Sequence, residues 1–370
     1  MTQYELLVGS ADFWRRAAAD CATAQRRLYV QAMSFEGDAA GLAAAAAIAA
    51  SPAADRRVLV DDYTRLVIND RLVRSPAGLL DGGLQREAAS TARMFDALVA
   101  GGTPVRVTNR VGRWGGGYAA RNHKKLIVAD DVAYIGGINF CDHNFAWHDF
   151  MLRLEGAAAA DFLAADFEAT FAGRPRPGAI ELGEARLISL DGRSNAEGFA
   201  GILDLIEAAT RTITVISPYL TFPFTDALAR AARRGVKVLL ITPWANNKPV
   251  VRDALLGEAS RAGFEVSLSP TMIHLKALLI DGTSLVVGSS NFDFVSLAAE
   301  EELMAVVTQP ALIEDFQRRV TAPALARALP PGTHRVSPLI AKASRWALKL
   351  AEQAALAARQ APRTARGWPG

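Results

Sequence analysis

The sequence predicts an α/β fold of two similar lobes, each a mixed sheet flanked by helices, with a pseudo-twofold relation and an active site between the lobes. Three observations predict it. A polar skeleton carried through apolar runs occurs twice, as His123, Lys125, Asp130, Gly136, Gly137, Asn139 and as His274, Lys276, Asp281, Gly288, Ser289, Asn291, with Phe140 and Phe292 after each Asn. Around each copy, β-type runs alternate with helix-type runs, the order of parallel βαβ units. Between the copies, Arg174-Pro175-Arg176-Pro177-Gly178 reads as a linker. The predicted boundaries are 1–172 for the first lobe, 173–184 for the linker, 185–322 for the second lobe and 323–370 for a C-terminal amphipathic helix with a disordered tail.

Taken in order, residues 10–26 predict a helix and Arg27–Ala32 a strand. Asp38 is the expected N-cap of an Ala-rich helix that runs to Ala50, and Arg57–Asp61 is the next strand. Residues 63–85 are Arg- and Gly-punctuated and give no clear element. A helix over Gln85–Ala100 ends at Gly101-Gly102, and Val105–Thr108 is a strand. The Gly-rich run from Gly112 to Tyr118, with Arg113 and Trp114, reads either as a gate beside His123 or as a surface loop. Ala157–Phe171 is a helix. Beyond the linker come helices over Ala200–Ala209, Phe224–Arg234 and Val250–Ala262, with strands over Thr212–Ile216, Val236–Thr242 and Phe264–Leu268. Leu339–Gln360 predicts a helix with Leu339, Ile340, Ala343, Trp346, Ala347, Leu350 and Ala351 on one side and Lys342, Arg345 and Lys349 near the other. Such a basic amphipathic helix suits a membrane interface or packing on the domain.

The motif itself has a local physical reading. Ala277–Ile280 and Leu285–Val287 are apolar runs parted by Asp281-Gly282-Thr283, a hairpin signal. Residues two apart on a strand share a face, so His274 and Lys276 project together, as do His123 and Lys125. A single H-x-K is usually a buried pair satisfied by its neighbours. Two matched copies argue otherwise, because the chain has five His, and only seven Lys against 34 Arg. Lysine in those slots indicates a need for a compact point charge. An imidazole beside an ammonium, presented twice, suits a phosphate ester: one His attacks phosphorus, the other protonates the leaving oxygen, and the lysines hold the oxygens. The Gly-Ser-Ser-Asn turn offers backbone N–H groups to an anion.

Composition sets bounds. Hydrophobic residues at 51% and charged residues at 21% describe a globular chain, and a net charge of +3 gives no argument for nucleic acid. Cys21 and Cys141 imply no disulfide framework and fit a reducing compartment. No signal peptide is expected at the start, and the longest apolar run, Ala39–Ala50, is too short to cross a bilayer.

H-x-K-x4-D followed by G-[GS]-x-N resembles the signature of the phospholipase D superfamily, in both copies. The surrounding words, among them S-P-Y-L at 217–220 and the run from Ala229 to Pro243, resemble most the bacterial cardiolipin synthases of the short class without N-terminal membrane spans. The resemblance covers roughly residues 5–308. It implies two phospholipase D-like lobes and phosphatidyl transfer through phosphohistidine, with His123 as nucleophile and His274 as acid. By the same resemblance Asp149 orients a motif histidine and Glu302, six residues after Ser296, is its counterpart; Glu300 stands where the family commonly has Asn. Asp130 and Asp281 are expected to be more structural, and Asn139, Asn291, Gly137 and Ser289 to bind substrate. The implied substrate is an anionic glycerophospholipid, phosphatidylglycerol, with an alcohol acceptor, on a cytoplasmic protein peripheral at the inner face of the membrane. The alternatives are a hydrolytic phosphodiesterase (a phospholipase D or, less favoured by the balanced charge, a nuclease) and a phospholipid-binding protein without activity. No cofactor and no metal are implied. His143 and His148, with Asp142 and Asp149, lack the i, i+4 spacing and the backing of a metal motif, and the lysines already supply the charge.

Overall fold

The computed structural model describes residues 2–112, 117–330, 332 and 334–369; Arg113 and Trp114 of the Gly-rich run lie outside the described residues. The chain divides into two compact units, one of Met1–Ala146, Phe150–Arg176 and Ala361–Gly370, the other of Trp147–Asp149 and Pro177–Gln360.

The first unit contains β1 (Gln3–Val8), β2 (Arg27–Ala32), β3 (Asp55–Asp61), β4 (Val67–Ile68), β5 (Arg71–Leu72), β6 (Val105–Thr108), β7 (Leu126–Ala129), β8 (Val132–Gly136) and β9 (Phe150–Glu155). Its main sheet runs β1-β9-β8-β7-β2-β3-β6 and ends on the C-terminal strand Ala365–Gly367. The pairs β2–β3 and β3–β6 are parallel; β7–β8 and β8–β9 are antiparallel. The Ala-rich helix Ala39–Ala50 starts as expected: the Asp38 side chain accepts from the Gly41 N–H. Phe13, Val30, Phe35, Val58, Phe95 and Ile127 belong to one buried core. The segment 63–85 resolves into a short helix Tyr63–Leu66, a β4–β5 hairpin turned by Asn69 and Asp70 at φ 49° and 57°, and a helix Pro76–Leu80.

The second unit contains β10 (Gly178–Glu181), β11 (Ala185–Asp191), β12 (Thr212–Ile216), β13 (Lys237–Pro243), β14 (Glu265–Ser269), β15 (Ala277–Ile280), β16 (Ser284–Gly288) and β17 (Glu301–Val307). Its sheet runs β10-β11-β17-β16-β15-β12-β13-β14. Again the β12–β13 and β13–β14 pairs are parallel and the β15–β16 and β16–β17 pairs antiparallel. This unit has its own core, including Phe199, Val215, Phe224, Leu240, Leu278 and Val286.

Two expectations need correction, and one open alternative is narrowed. The C-terminal tail is ordered: Ala365–Gly367 pairs antiparallel with β6, and the Trp368 ring packs 4.5 Å from Phe95 while its indole N–H donates to Asp96 Oδ1 at 2.9 Å. An edge strand with unpaired N–H and C=O groups recruits such a segment, whatever its composition. Residues 173–184 are not wholly linker, because β10 lies within them and pairs with β11. The helix Pro338–Ala358 buries Ala341, Ser344, Leu348, Ala355 and Ala358. The stripe read as its apolar face, with Leu339, Ile340, Trp346 and Leu350, is the exposed side.

Candidate active site

His123 precedes β7 by three residues, and its approach is fixed from β3. The buried Asp61 carboxylate accepts from Arg121 Nη1 at 2.5 Å and from the Asn122 N–H at 2.7 Å. Arg121 Nη2 donates in turn to Asn109 O at 2.5 Å, and Gln31 Nε2 donates to Asn122 Oδ1 at 2.8 Å. A buried Arg–carboxylate pair with this many further bonds fixes the backbone around it. His123 is itself 7% exposed, and Lys125 Nζ donates to the His123 carbonyl at 2.7 Å. The intervening Lys124 is buried against Asp166 of the helix Ala157–Phe171, with Nζ 2.7 and 2.9 Å from its two oxygens. Two apolar-facing lysines in a row thus serve opposite sides of the chain.

His274 stands three residues before β15 in the same register, so both H-x-K segments lead into the motif strands instead of lying in them. Its Nδ1 is 2.8 Å from Asp149 Oδ2. Lys276 Nζ lies 2.9 Å from both ring nitrogens and also donates to the His274 carbonyl. Asp149 arrives because Trp147–Asp149 joins the second unit: the His148 N–H donates to Met272 O at 3.1 Å and the His274 N–H to His148 O at 2.8 Å, a bridge beside Ile273. The Trp147 ring is 5.0 Å from the His274 ring and Tyr219 meets it edge-on at 6.0 Å. Lys248 Nζ sits 4.3 Å over Tyr219, whose hydroxyl donates to Asn247 Oδ1. An Nδ1–H bonded to a carboxylate fixes the tautomer that leaves Nε2 as the reactive nitrogen.

The motif acids hold the fold. Asp130, at φ 50°, accepts from the N–H groups of Gln25, Arg26 and Arg27 at 2.8, 2.8 and 3.0 Å. Asp281, at φ 52°, accepts from those of Thr210, Arg211 and Thr212 at 2.9, 2.8 and 2.9 Å. Partial burial raises the Asp281 carboxyl, but these amides outweigh it and hold the group down at about 2; Asp130 is lowered by the same balance.

The glycines and Ser289 act on packing. A Cβ on Gly136 would lie 2.4 Å from Phe150 O, and one on Gly288 2.2 Å from Leu303 O. The Gly137 N–H donates to Phe150 O at 3.3 Å and the Ser289 N–H to Leu303 O at 2.9 Å. These two amides are committed to the neighbouring strands. The Ser289 hydroxyl donates to Glu302. Glu302 also takes a bond from Ser296 Oγ at 2.8 Å, and the same hydroxyl is 3.0 Å from Glu300. Asn139 is fully used, accepting from the Ser34 N–H at 3.1 Å and donating to Asn144 at 2.9 Å. Asn291 differs: its Oδ1 is buried and has no hydrogen-bond partner among the described residues, as befits an acceptor that faces a ligand donor.

Sequence reasoning missed the roles of Trp147, Lys248 and the Asp61–Arg121 pair. Asp61 carried a signal, an acid at the end of an apolar strand; Lys248 carried none.

Residues 202–322 match the model of a family described as "Cardiolipin synthase, PLD-like domain". The minor cardiolipin synthase of Bacillus subtilis is 29% identical over 224 residues, 53% of this chain and 54% of that protein. Cardiolipin synthase A of Yersinia pseudotuberculosis is 30% identical over 217 residues, 50% of this chain and 44% of that protein. The chain therefore spans about half the length of the curated relatives it matches. In fold, it is similar to the crystal structure of phosphatidylserine synthase from Haemophilus influenzae, with a TM-score of 0.70 at 16% identity over 95% of this chain and 94% of that one. Polyphosphate kinase from Porphyromonas gingivalis follows at a TM-score of 0.56 and 13% identity, over 95% of this chain and 56% of that one.

Proposed function

For this chain, which belongs to the phospholipase D superfamily and is cardiolipin synthase-like, we propose phosphatidyl transfer between glycerophospholipids through a phosphohistidine intermediate. His123 attacks phosphorus and takes the phosphatidyl group as the bond to the donor's glycerol oxygen breaks. His274, as imidazolium, gives its proton to that departing oxygen and then accepts the proton of the incoming hydroxyl. Attack by that hydroxyl releases His123. Lys125 and Lys276 offset the charge on the phosphoryl oxygens.

The observation that carries this reading is the set of contacts on His274. The carboxylate on Nδ1 orients the buried ring and offsets the Lys276 ammonium beside it, which supports a proton-bearing imidazole there. The repeated motif supplies the second imidazole. Phosphatidylglycerol is the proposed donor, with a second phosphatidylglycerol or glycerol as acceptor. Peripheral contact with the inner face of the cytoplasmic membrane is assigned to residues 339–360, where Leu339, Ile340, Trp346 and Leu350 are 80, 51, 66 and 55% exposed. No described helix is long and apolar enough to cross a membrane.

Incubation with labelled phosphatidylglycerol, with and without glycerol, tests the proposal. Cardiolipin is the expected labelled product. Phosphatidic acid alone would replace transfer by hydrolysis. Lipid binding with no turnover in the wild type, unchanged by His274→Ala, would reduce the protein to a phospholipid-binding module.

A further inference from the structure

We infer that the first unit binds a zinc-class divalent cation on Glu36, Cys141 and His143, at a site separate from the phosphoryl chemistry. One ligand atom from each residue lies within 4.8 Å of the others. Cys141 Sγ is 3.8 Å from His143 Nε2 and Glu36 Oε2 is 3.9 Å from the other ring nitrogen, Nδ1, so the ring flanks both groups and turns to ligate through one nitrogen. Tetrahedral zinc with bonds of about 2.0–2.3 Å places its donors roughly 3.3–3.8 Å apart, so small side-chain rotations close the shell. Thiolate, imidazole and carboxylate together suit zinc and not magnesium or calcium, which take oxygen donors.

The backbone builds this convergence. The Glu36 N–H donates to Phe140 O at 2.9 Å and the Phe140 N–H to Ser34 O at 3.1 Å, a bridge of Phe35 to Phe140 that sets Glu36 alongside Cys141. The short helix Asp142–Ala146 then turns His143 back toward both. Cys141 and Glu36 are 0 and 1% exposed, whereas the His143 side chain is 20% exposed and opens a way in. The carboxylates of Glu36, Asp38 and Glu87 also converge within 4.8 Å. Carboxylates brought together under cover need protons or a cation between them. A water completes the fourth position. Because Asn139 lies two residues before Cys141 and bonds the Ser34 N–H, the ion clamps the loop that ends the first motif.

The test is metal binding by the full-length protein, independent of turnover. After incubation with zinc and exhaustive dialysis, elemental analysis should give one zinc per chain. Cobalt(II) titration should give a thiolate-to-cobalt charge-transfer band in the near ultraviolet, lost in Cys141→Ser and kept in Cys21→Ser. Zinc below a tenth of an equivalent, cobalt bound without the thiolate band, or a band that survives Cys141→Ser would each overturn the assignment. If Cys141→Ser does not fold, the presence or absence of the band in the wild type still decides.

Discussion

Asp149 is 125 residues from His274 in sequence and 2.8 Å from its Nδ1 in space. That contact orients the ring, so its removal tests what orientation contributes. Asp149→Asn keeps size and polarity but offers an amide where the ring N–H needs a charged acceptor. Turnover should fall on the order of 10²–10⁴-fold, the range of general acid–base catalysis, with KM little changed; steady-state kinetics on phosphatidylglycerol vesicles measures it. Asp281 calls for the opposite assay, one of stability. Its carboxyl is held at about 2, below the ordinary 3.8, so its contribution is present above about pH 4 and lost as pH falls toward 2. Asp281→Ala removes the acceptor of the exposed amides of Thr210, Arg211 and Thr212, which water replaces in part, and should cost about 1 kcal/mol at pH 7. The gap between variant and wild type should close in urea titrations run from pH 4 down to pH 2; a gap that stays constant across that range would show the carboxylate to be irrelevant.

Elements show which parts of the fold a sequence can announce. Hairpins β7–β8 and β15–β16 were legible because apolar runs flank an Asp that tolerates positive φ, and the Asp38 cap was legible because its helix is otherwise featureless alanine. The strand Ala365–Gly367 was not, since its pairing is dictated by the open edge of β6 and not by its own residues. The helix Pro338–Ala358 was legible, but the sequence left open which of its faces packs. Small residues face its partner: Ala341 stands against Gly257 of the helix Pro249–Ala262, where a Cβ on Gly257 would come within 2.5 Å, and Arg345 pairs with Glu258 at 2.6 Å. With the small face buried, the bulky one is left outside. Trp346→Glu combined with Ile340→Glu should therefore leave the thermal transition within about 2 °C of wild type while weakening sedimentation with phosphatidylglycerol vesicles at least tenfold. A matching loss of thermal stability would mean that the outer face is a packing face after all.

At the scale of the whole molecule the duplication is exact in topology where it is faint in sequence. The strands β1-β9-β8-β7-β2-β3-β6 and β11-β17-β16-β15-β12-β13-β14 follow the same order, each with its motif histidine just before the equivalent strand. The polar skeleton made that repeat visible; the exchange of Trp147–Asp149 and Ala361–Gly370 between units was hidden, because only tertiary pairing reveals it. Equivalent placement does not make the two histidines equivalent in chemistry. The proposed mechanism gives proton transfer to His274 and covalent attack to His123. A phosphatidyl donor with a nitrophenolate leaving group needs no proton to depart, so it separates the roles. With that donor His274→Ala should still become labelled, on an acid-labile bond at His123, and should stall there because no base activates the acceptor. His123→Ala should take up no label. Label on His274 in the His123→Ala protein, with none in His274→Ala, would reverse the assignment and make His274 the nucleophile.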